Sequence, residues 1–220
     1  MSVRAVTNSV TGENLPVGKI LCLGRNYREH AREMKAEVPT SPVVFLKPST
    51  ALLRNGGRIL IPPLSKQLHY EAEMVVVIGR EGKAIPRDRA MDHVEGYAVG
   101  LDMTLRDLQG EAKSKGLPWS VAKGFDTSAP VSDVVPKDRV RDPHALQLTL
   151  QVNGSTRQQA STGEMIFRIE EVIAYVSQIF TLDRGDLIYT GTPQGVGEAR
   201  TGDTLTATLE SVGTLTVTVG

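Results

Sequence analysis

The chain is 220 residues long and contains 40% hydrophobic and 23% charged residues. These fractions are close to those of globular proteins and exclude a disordered, collagen-like or coiled-coil chain, while the length allows one large domain or two small ones. Lys and Arg together number 25, as do Asp and Glu, so no net charge attracts nucleic acid or an acidic membrane surface. Any charge that matters for function must therefore act locally.

The amino terminus and the single cysteine indicate a soluble, cytoplasmic protein. Residues 1–8 lack the apolar core of a signal peptide, and no apolar stretch approaches the roughly 18 residues that cross a bilayer. Cys22 lies in the apolar run 20–23, which favours an inert buried thiol over a nucleophile. A lone cysteine also excludes a disulfide within one chain.

Short apolar or alternating runs, bordered by Gly, Pro and Asn, predict a strand-rich chain. In chain order the predicted strands span 19–23, 43–47, 58–61, 71–78, 96–101, 146–152, 186–189, 204–209 and 214–219. The last two alternate apolar and polar residues with a period of two and flank a turn around 211–213. This pattern predicts a hairpin that is exposed on one face.

Helical signals are fewer. The clearest helix is predicted over 168–180, where apolar residues recur at steps of three and four. A second is predicted over 26–35, with Asn26 as its cap and Glu29 completing a capping-box-like pair, and a third over 105–115. Strands and helices do not alternate regularly, and no glycine-rich nucleotide motif, internal repeat or linker-like segment is visible. The sequence therefore predicts a β-rich α+β fold in one domain.

Carboxylates precede one apolar strand and follow the next. Glu71 and Glu73 are two residues apart, so in a strand they share a face and can converge on one cation. The spacing alone is common and favours the alternative that both face solvent. Asp102 ends the apolar run 96–101 and can supply a third oxygen ligand. Three carboxylates suit Mg²⁺ or Mn²⁺, suit Ca²⁺ less well, and disfavour zinc because thiolates are lacking.

A histidine and a glutamate lie three residues apart in the helix predicted over 26–35. His30 and Glu33 can therefore meet on one helix face, where the carboxylate fixes the tautomer of the ring and leaves the other nitrogen free as a base. Such a pair can deprotonate water. An ordinary surface contact is the alternative. The following segment 37–42 contains two prolines and fits either a substrate lid or a rigid loop.

Two further segments fit an anionic substrate. Lys123 follows the largely apolar run 119–122, where its ammonium either extends to solvent or is held near an anion. The segment 190–195 lacks bulky side chains, so it can turn backbone N–H groups toward a carboxylate, although a plain turn between strands fits equally well.

Six ordered segments together resemble the fumarylacetoacetate hydrolase superfamily. They are 24–30 (GRNYREH), 45–48 (FLKP), 69–73 (HYEAE), 100–107 (GLDMTLRD), 123–126 (KGFD) and 190–197 (TGTPQGVG). The short chain is similar to the branch that contains acylpyruvases and oxaloacetate decarboxylases. The resemblance implies a mixed β-sandwich roll with a few peripheral helices, a lead-in segment over 1–18, a single catalytic domain over 19–220, and a homodimer.

The resemblance also implies roles for individual residues. It implies that Mg²⁺ or Mn²⁺ is bound by Glu71, Glu73 and Asp102. It implies that His30 and Glu33 activate water and that Lys123 is catalytic. The positions that resemble the substrate contacts of the family are Arg25, Arg106, Gln109, Lys123 and Thr192.

The expected activity is metal-dependent cleavage of a carbon–carbon bond in small keto acids. The reaction is hydrolysis of an acylpyruvate, decarboxylation of oxaloacetate, or both. Each of these reactions proceeds through a metal-stabilised pyruvate enolate. The expected partner is a small anionic keto acid, with neither nucleic acid nor membrane. Two alternatives stay open, namely an isomerase of unsaturated keto dicarboxylic acids and a catalytically silent metal-binding scaffold.

Overall fold

The computed structural model describes residues 4–220, which form short strands and four α-helices. The strands are β1 (Ala5–Thr7), β2 (Asn14–Pro16), β3 (Lys19–Gly24), β4 (Val43–Pro48), β5 (Leu52–Arg54), β6 (Arg58–Ile59), β7 (Leu68–Tyr70), β8 (Ala72–Ile78), β9 (Val94–Leu101), β10 (Thr104–Leu105), β11 (Ala129–Val131), β12 (Val135–Pro136), β13 (Gln147–Val152), β14 (Ser155–Ser161), β15 (Leu187–Tyr189), β16 (Gly197–Glu198), β17 (Thr204–Leu209) and β18 (Gly213–Val219). The α-helices are α1 (Arg28–Glu33), α2 (Arg106–Ser114), α3 (Ser120–Lys123) and α4 (Ile169–Ile179). Short 3-10 helices span Ser49–Ala51, Arg87–His93, Lys137–Arg139 and Thr162–Glu164.

Two sheets form most of the fold. The larger has the strand order β4-β3-β15-β8-β9-β11-β5, with β12 also paired to β9, and the other has the order β14-β13-β17-β18-β6. Apolar residues of both sheets share one hydrophobic core, so the sheets pack against each other. Two smaller sheets, β10-β7-β16 and β1-β2, complete the strands. The predicted β-rich α+β fold is therefore confirmed.

Strand β8 lies near the centre of the larger sheet and is buried along its whole length. Its side chains alternate between two cores: Met74 and Val76 enter the core shared by the sheets, whereas Val75 and Val77 enter a second core on the opposite face. Strands β1 and β2 contribute to this second core, which also contains Cys22. A strand covered on both faces needs apolar residues on both, which explains the unbroken apolar run over 74–78. Cys22 is buried as predicted, and desolvation raises the pKa of its thiol.

The helices predicted over 168–180 and 105–115 are confirmed as α4 and α2. The sequence analysis missed α3, which is only one turn long. The helix predicted over 26–35 was too long, because α1 covers Arg28–Glu33. Within residues 4–220, no helix is long and apolar enough to cross a membrane.

The predicted capping role of Asn26 was wrong. Tyr27 is the residue before α1, and no side chain caps the helix. The amide of Asn26 is fully buried and bonds elsewhere: its nitrogen donates to the carbonyls of Phe167 and Thr190, and its oxygen accepts from the N–H of Phe167. In the folded chain the Asn26 amide makes three hydrogen bonds to distant residues, whereas a helix cap would give it only one.

Several short strands were absent from the sequence prediction. The start of one predicted strand also differs from the structure, and this difference affects the position of Glu71. The predicted strand over 71–78 begins only at Ala72, because Glu71 lies where the chain leaves β7 in one sheet and enters β8 in another. In the larger sheet the start of β8 pairs with the end of β9, with Ala72 opposite Leu101. This pairing brings the residues before and within β8 close to the residue that follows β9.

Candidate active site

Three buried carboxylates meet where β8 begins and β9 ends. Glu71, Glu73 and Asp102 are 5%, 1% and 1% exposed. One oxygen of each lies within 4.8 Å of the others, so the group can hold a metal ion. The N–H of Asp102 donates to the carbonyl of Glu71 at 2.8 Å, which ties the two strand ends together. The alternative that the Glu-x-Glu pair faces solvent is therefore wrong.

Three cationic side chains surround these carboxylates. Lys123 Nζ lies 2.8 Å from Glu71 Oε2 and 2.6 Å from Asp102 Oδ2. Arg106 Nη2 lies 2.5 Å from Glu71 Oε1, and Lys47 Nζ lies 2.8 Å from Asp102 Oδ1. Lys123 and Lys47 are themselves buried, at 2% and 1% exposure. The site thus contains as many positive as negative side chains.

Lys47 is a residue that the sequence analysis missed. Its ammonium also donates to the backbone carbonyls of Met103 and Lys123, so it joins β4 to the ends of β9 and α3. The signal was the segment 45–48, which the resemblance included without assigning a role to this lysine. A lysine in a short strand otherwise reads as a solvent-facing residue.

The ionisation of the carboxylates depends on which of them faces a cation. Burial and repulsion from Asp102 and Glu71 raise the pKa of Glu73 well above its usual value. Burial also opposes the ionisation of Glu71, but Lys123 and Arg106 hold its pKa well below the usual value. Burial would lower the pKa of Lys123, yet Asp102 and Glu71 raise it. Glu73, whose carboxylate accepts the N–H of Gly191 at 2.7 Å, is the carboxylate that most needs a further positive charge.

The cluster fits a hard divalent cation. Its donors are all carboxylate oxygens, which suit Mg²⁺ or Mn²⁺. Lys47 and Lys123 each lie beside one oxygen of Asp102, whereas the buried Glu73 carboxylate has the Gly191 N–H as its hydrogen-bond partner and a raised pKa, so it can accept a further cation. The residues present therefore fit the predicted cofactor.

A cavity of about 320 Å³ opens beside the cluster. It is lined by seven of the predicted site residues, namely Arg25, His30, Glu71, Arg106, Gln109, Lys123 and Thr192. Glu73 and Asp102 do not line the cavity, but they lie beside Glu71, which does. Glu33 is linked to the cavity through its contact with His30. The structure thus brings all the predicted site residues to one place, with the carboxylates at one end of the cavity.

The predicted pair of histidine and glutamate forms in α1. His30 Nδ1 lies 3.3 Å from Glu33 Oε2, and Glu33 Oε1 accepts the N–H of Gly195 at 3.0 Å. His30 is buried, and burial lowers its pKa more than the charges of Glu71 and Glu33 raise it. Its ring is therefore neutral near pH 7 and can accept a proton.

The predicted substrate-contact residues come from separate elements. Arg106 begins α2 and donates to Gln109 Oε1 at 2.6 Å, so the arginine and the amide share one face of the helix. Arg25 follows β3 and adopts a left-handed backbone conformation with φ of 60°. This conformation is uncommon outside glycine and is often retained at functional positions.

A buried glutamine links the two sheets behind the carboxylates, and sequence reasoning missed it. Gln158 of β14 accepts the N–H of Ala72 at 2.9 Å and donates to Thr192 Oγ1 at 2.9 Å. Thr192 Oγ1 in turn donates to the carbonyl of Ala72 at 2.8 Å. These three bonds fix the backbone between Glu71 and Glu73. The polar run around Gln158 carries no local signal, because its partners lie on distant segments.

Comparison with known proteins supports the resemblance. The family described as fumarylacetoacetate (FAA) hydrolase C-terminal matches residues 19–220. The rat protein named oxaloacetate tautomerase FAHD1, mitochondrial, is 52% identical over 193 residues, which cover 88% of this chain and 87% of the rat protein. The Arabidopsis thaliana protein of the same name is 52% identical over 189 residues, covering 86% and 85%.

Solved structures with the same fold include enzymes of two kinds. Fumarylpyruvate hydrolase from Pseudomonas aeruginosa, in complex with Mn²⁺ and pyruvate, has a TM-score of 0.96 and 38% identity, covering 100% of this chain and 96% of that one. 2-Hydroxyhepta-2,4-diene-1,7-dioate isomerase from Mycobacterium marinum has a TM-score of 0.83 and 39% identity, covering 94% and 77%. The likeness extends to the whole fold that surrounds the carboxylate cluster.

We expect Glu73→Gln to remove the response to metal without disrupting the fold. In the absence of metal the neutral amide should be tolerated, because the buried Glu73 carboxyl already has a strongly raised pKa. An ion that binds only the folded wild type adds about 2.7 kcal/mol of stability at 100 times its Kd. Thermal unfolding with and without MnCl₂ measures this gain. Glu81→Gln, at an exposed position, is the matched control. A full Mn²⁺ response in Glu73→Gln would contradict the assignment.

Proposed function

This chain belongs to the fumarylacetoacetate hydrolase family, and on that premise we propose that it is a divalent-metal-dependent enzyme that hydrolyses a carbon–carbon bond in acylpyruvate-type keto acids. The observation that carries the proposal is the contact between His30 and Glu33, because His30 is buried and lines the same cavity as Glu71 of the carboxylate cluster. The similar fumarylpyruvate hydrolase is named in complex with Mn²⁺ and pyruvate. Pyruvate is the product that any acylpyruvate hydrolysis releases.

In this proposal Glu71, Glu73 and Asp102 hold Mg²⁺ or Mn²⁺. When bound, the ion supplies a Lewis acid that polarises the oxygens of the keto acid. The three carboxylates are already offset by Lys47, Lys123 and Arg106, so the bound ion gives the site a net charge of about +2. A substrate with two negative charges restores neutrality in a buried setting, where an uncompensated charge is costly.

The chain's own residues then supply the proton transfers. His30 takes a proton from water, while Glu33 holds the N–H of the other ring nitrogen and stabilises the imidazolium. The hydroxyl attacks the carbonyl carbon remote from the substrate carboxylate. The carbon–carbon bond breaks, a carboxylic acid leaves, and the proton on His30 passes to the carbon that becomes the methyl group of pyruvate.

The remaining site residues bind and orient the substrate in this proposal. Lys123 stabilises negative charge that develops on substrate oxygens, because its ammonium lies at the junction of the cavity and the carboxylates. Arg106 and Gln109 present donors from one face of α2, Arg25 presents a donor from the segment after β3, and Thr192, whose hydroxyl donates to Ala72, shapes the cavity wall. The bonds from Gln158 to Ala72 and Thr192 keep this geometry fixed.

Tautomerisation of oxaloacetate is the second candidate function, and the names of the rat and Arabidopsis relatives favour it. In that reaction His30 would move a proton between carbon and oxygen without water attack. Decarboxylation of oxaloacetate and isomerisation of an unsaturated keto dicarboxylate, as named for the M. marinum neighbour, likewise need no attacking water. The paired His30 and Glu33 and the buried Lys123 give no support to a silent scaffold.

A homodimer and a cytoplasmic location also stay proposals. Exposed apolar side chains support association, because Leu46 on edge strand β4 and Leu117, which line one surface groove, are 43% and 53% exposed. The rat and Arabidopsis relatives are named mitochondrial, so a cytoplasmic location would distinguish this protein from them.

A substrate panel tests the proposed reaction. With Mn²⁺, the wild type should convert acetylpyruvate to acetate and pyruvate, and His30→Ala should lower kcat by roughly 10²–10⁴-fold because the base is removed. Proton NMR identifies the products from acetylpyruvate, oxaloacetate and an enolised dienoate. His93→Ala, at a histidine that contacts the Arg80 carbonyl, is the control. Conversion of oxaloacetate between keto and enol forms without hydrolysis of acetylpyruvate would select the second candidate.

The pH profile should show an acidic limb below pH 6.5, the ordinary pKa of histidine, because burial lowers the pKa of His30. Only the neutral ring accepts a proton, so kcat/KM is full above that pKa and is lost as the pH falls through it. Glu33→Gln removes a charge that raises this pKa, so its limb should move to lower pH while the rate at neutral pH falls. A limb that moves upward in Glu33→Gln would be evidence against the pair.

Light scattering tests the proposed dimer. The chain has a mass of 23.8 kDa, so a homodimer should scatter as a particle of about twice that mass. Replacing exposed Leu46 with Glu should weaken association, because a charge would be desolvated at the edge of the sheet. A monomer mass at micromolar concentrations would contradict the proposal.

A further inference from the structure

Strand β4 carries the segment 45–48, which belongs to the family resemblance but has no role in the proposed reaction. Phe45 and Lys47 are two residues apart in this strand, so their side chains point to the same face. Both contact Lys123, Phe45 at its ammonium and Lys47 at its backbone carbonyl. Phe45 lines the cavity, whereas Lys47 is fully buried and lies outside the cavity lining. The strand therefore contacts both ends of the proposed catalytic lysine.

The ammonium of Lys47 has a complete set of partners. It lies 2.8 Å from Asp102 Oδ1, and it donates to the backbone carbonyls of Met103, at 3.2 Å, and of Lys123. A lysine ammonium has three N–H groups, so three acceptors are enough to occupy it. A buried charge is costly unless it is paired, which keeps the ammonium with these partners. Lys47 thus holds the carboxylate of Asp102 and the backbone of Lys123 close together.

Helix α3, which carries Lys123, is too short to hold this residue in place by itself. It spans Ser120–Lys123 and contains a single turn. One turn is unstable in isolation, because fixing its backbone costs more free energy than so few hydrogen bonds return. The carbonyl at the end of the turn accepts the Lys47 ammonium and also the Ser128 hydroxyl, the latter at 2.9 Å. These donors supply the support that the turn lacks, and a cation is favourable at the carboxyl end of a helix.

The ring of Phe45 restrains the other end of Lys123. Its centre lies 5.0 Å from Lys123 Nζ, a cation–π distance. Trp119, directly before α3, packs edge-on against the same ring, with the ring centres 5.8 Å apart. The ammonium also lies 2.8 Å from Glu71 and 2.6 Å from Asp102. The head group of Lys123 is therefore in contact with two carboxylates and one aromatic ring.

We propose that Lys47 is a positioning residue for the reaction and that it acts through Lys123. Its ammonium holds the last carbonyl of α3, and this contact fixes the place from which Lys123 Nζ meets negative charge on the substrate. Phe45 completes the restraint at the ammonium. The inference rests on the proposed function, in which Lys123 stabilises that charge. It deepens the function by giving the segment 45–48 a role.

Stabilisation of developing charge requires a precisely placed ammonium. A displacement of about 1 Å in an active site can lower a rate about 100-fold. A lysine side chain is long and flexible, so its ammonium keeps one place only if both the backbone and the head group are held. Lys47 supplies the first restraint, and the carboxylates and Phe45 supply the second.

The first test measures kcat and KM for acetylpyruvate in Lys47→Met, which removes the charge and keeps a side chain of similar length. We expect kcat to fall roughly 10- to 100-fold, the loss expected for hydrogen bonds from a charged group. KM should change little, because Lys47 lies outside the cavity lining. In a Lys123→Met background the same substitution should change kcat by less than about twofold, because its effect passes through Lys123. A purely structural role would lower kcat by the same factor in both backgrounds.

The second test needs no substrate. Trp119 is the only tryptophan in the chain and lies directly before α3. Quenching of its fluorescence by acrylamide should increase in Lys47→Met, because α3 loses its support. A smaller increase is expected in Ser128→Ala, which removes the other donor to the Lys123 carbonyl. Ser132→Ala is the matched control, because Ser132 is also buried but its hydroxyl contacts the backbone of neighbouring strand residues.

Thermal unfolding shows whether each variant is folded. If Lys47→Met does not fold, Ser128→Ala carries both tests, with an expected loss in kcat of about 2- to 10-fold for one neutral hydrogen bond. Wild-type quenching in the folded variant, or an equal loss of kcat with and without Lys123, would overturn the proposal and leave the proposed function intact. If the wild type converts no keto acid, the proposed function and the positioning role fall together, whereas increased quenching would still show that Lys47 supports α3.

Discussion

The burial of three carboxylates within 4.8 Å of one another is the constraint on which the rest of the site depends. Each buried ion costs several kcal/mol unless it is paired. The pairing comes from three separate elements, with Lys47 on β4, Arg106 on α2 and Lys123 on α3. Only Glu73 is left with a backbone N–H and a raised pKa. A divalent ion completes this arrangement, and the charge it adds is what an anionic substrate then compensates.

The geometry of the cluster depends on contacts between the two sheets. The chain changes sheets at Glu71, so the backbone there lacks the regular pairing of a strand interior. Gln158 supplies the missing partners from the second sheet and also holds Thr192 in the cavity wall. Asn26 similarly ties the start of α1, which carries His30, to Thr190, next to the residue whose N–H bonds Glu73. The contacts that hold these parts of the fold together therefore also position the residues of the site.

The parts of this structure that were predictable from sequence are those with local signals. The hairpin of β17 and β18 repeats every two residues, α4 repeats at helical spacing, and the motifs around Glu71 and Asp102 are ordered along the chain. The parts that were missed depend on distant partners. Lys47 bonds carbonyls 56 and 76 residues away, and Gln158 bonds an N–H 86 residues away. Asn26 resembles a helix cap locally, but its amide bonds residues 141 and 164 positions along the chain.

Anomalous diffraction at the manganese edge, from crystals grown with MnCl₂, tests the central claim most directly. The account predicts one strong peak in contact with oxygens of Glu71, Glu73 and Asp102, with Lys47 still paired to Asp102. A peak at another place in the molecule, or Mn²⁺ bound without Glu73, would contradict the account.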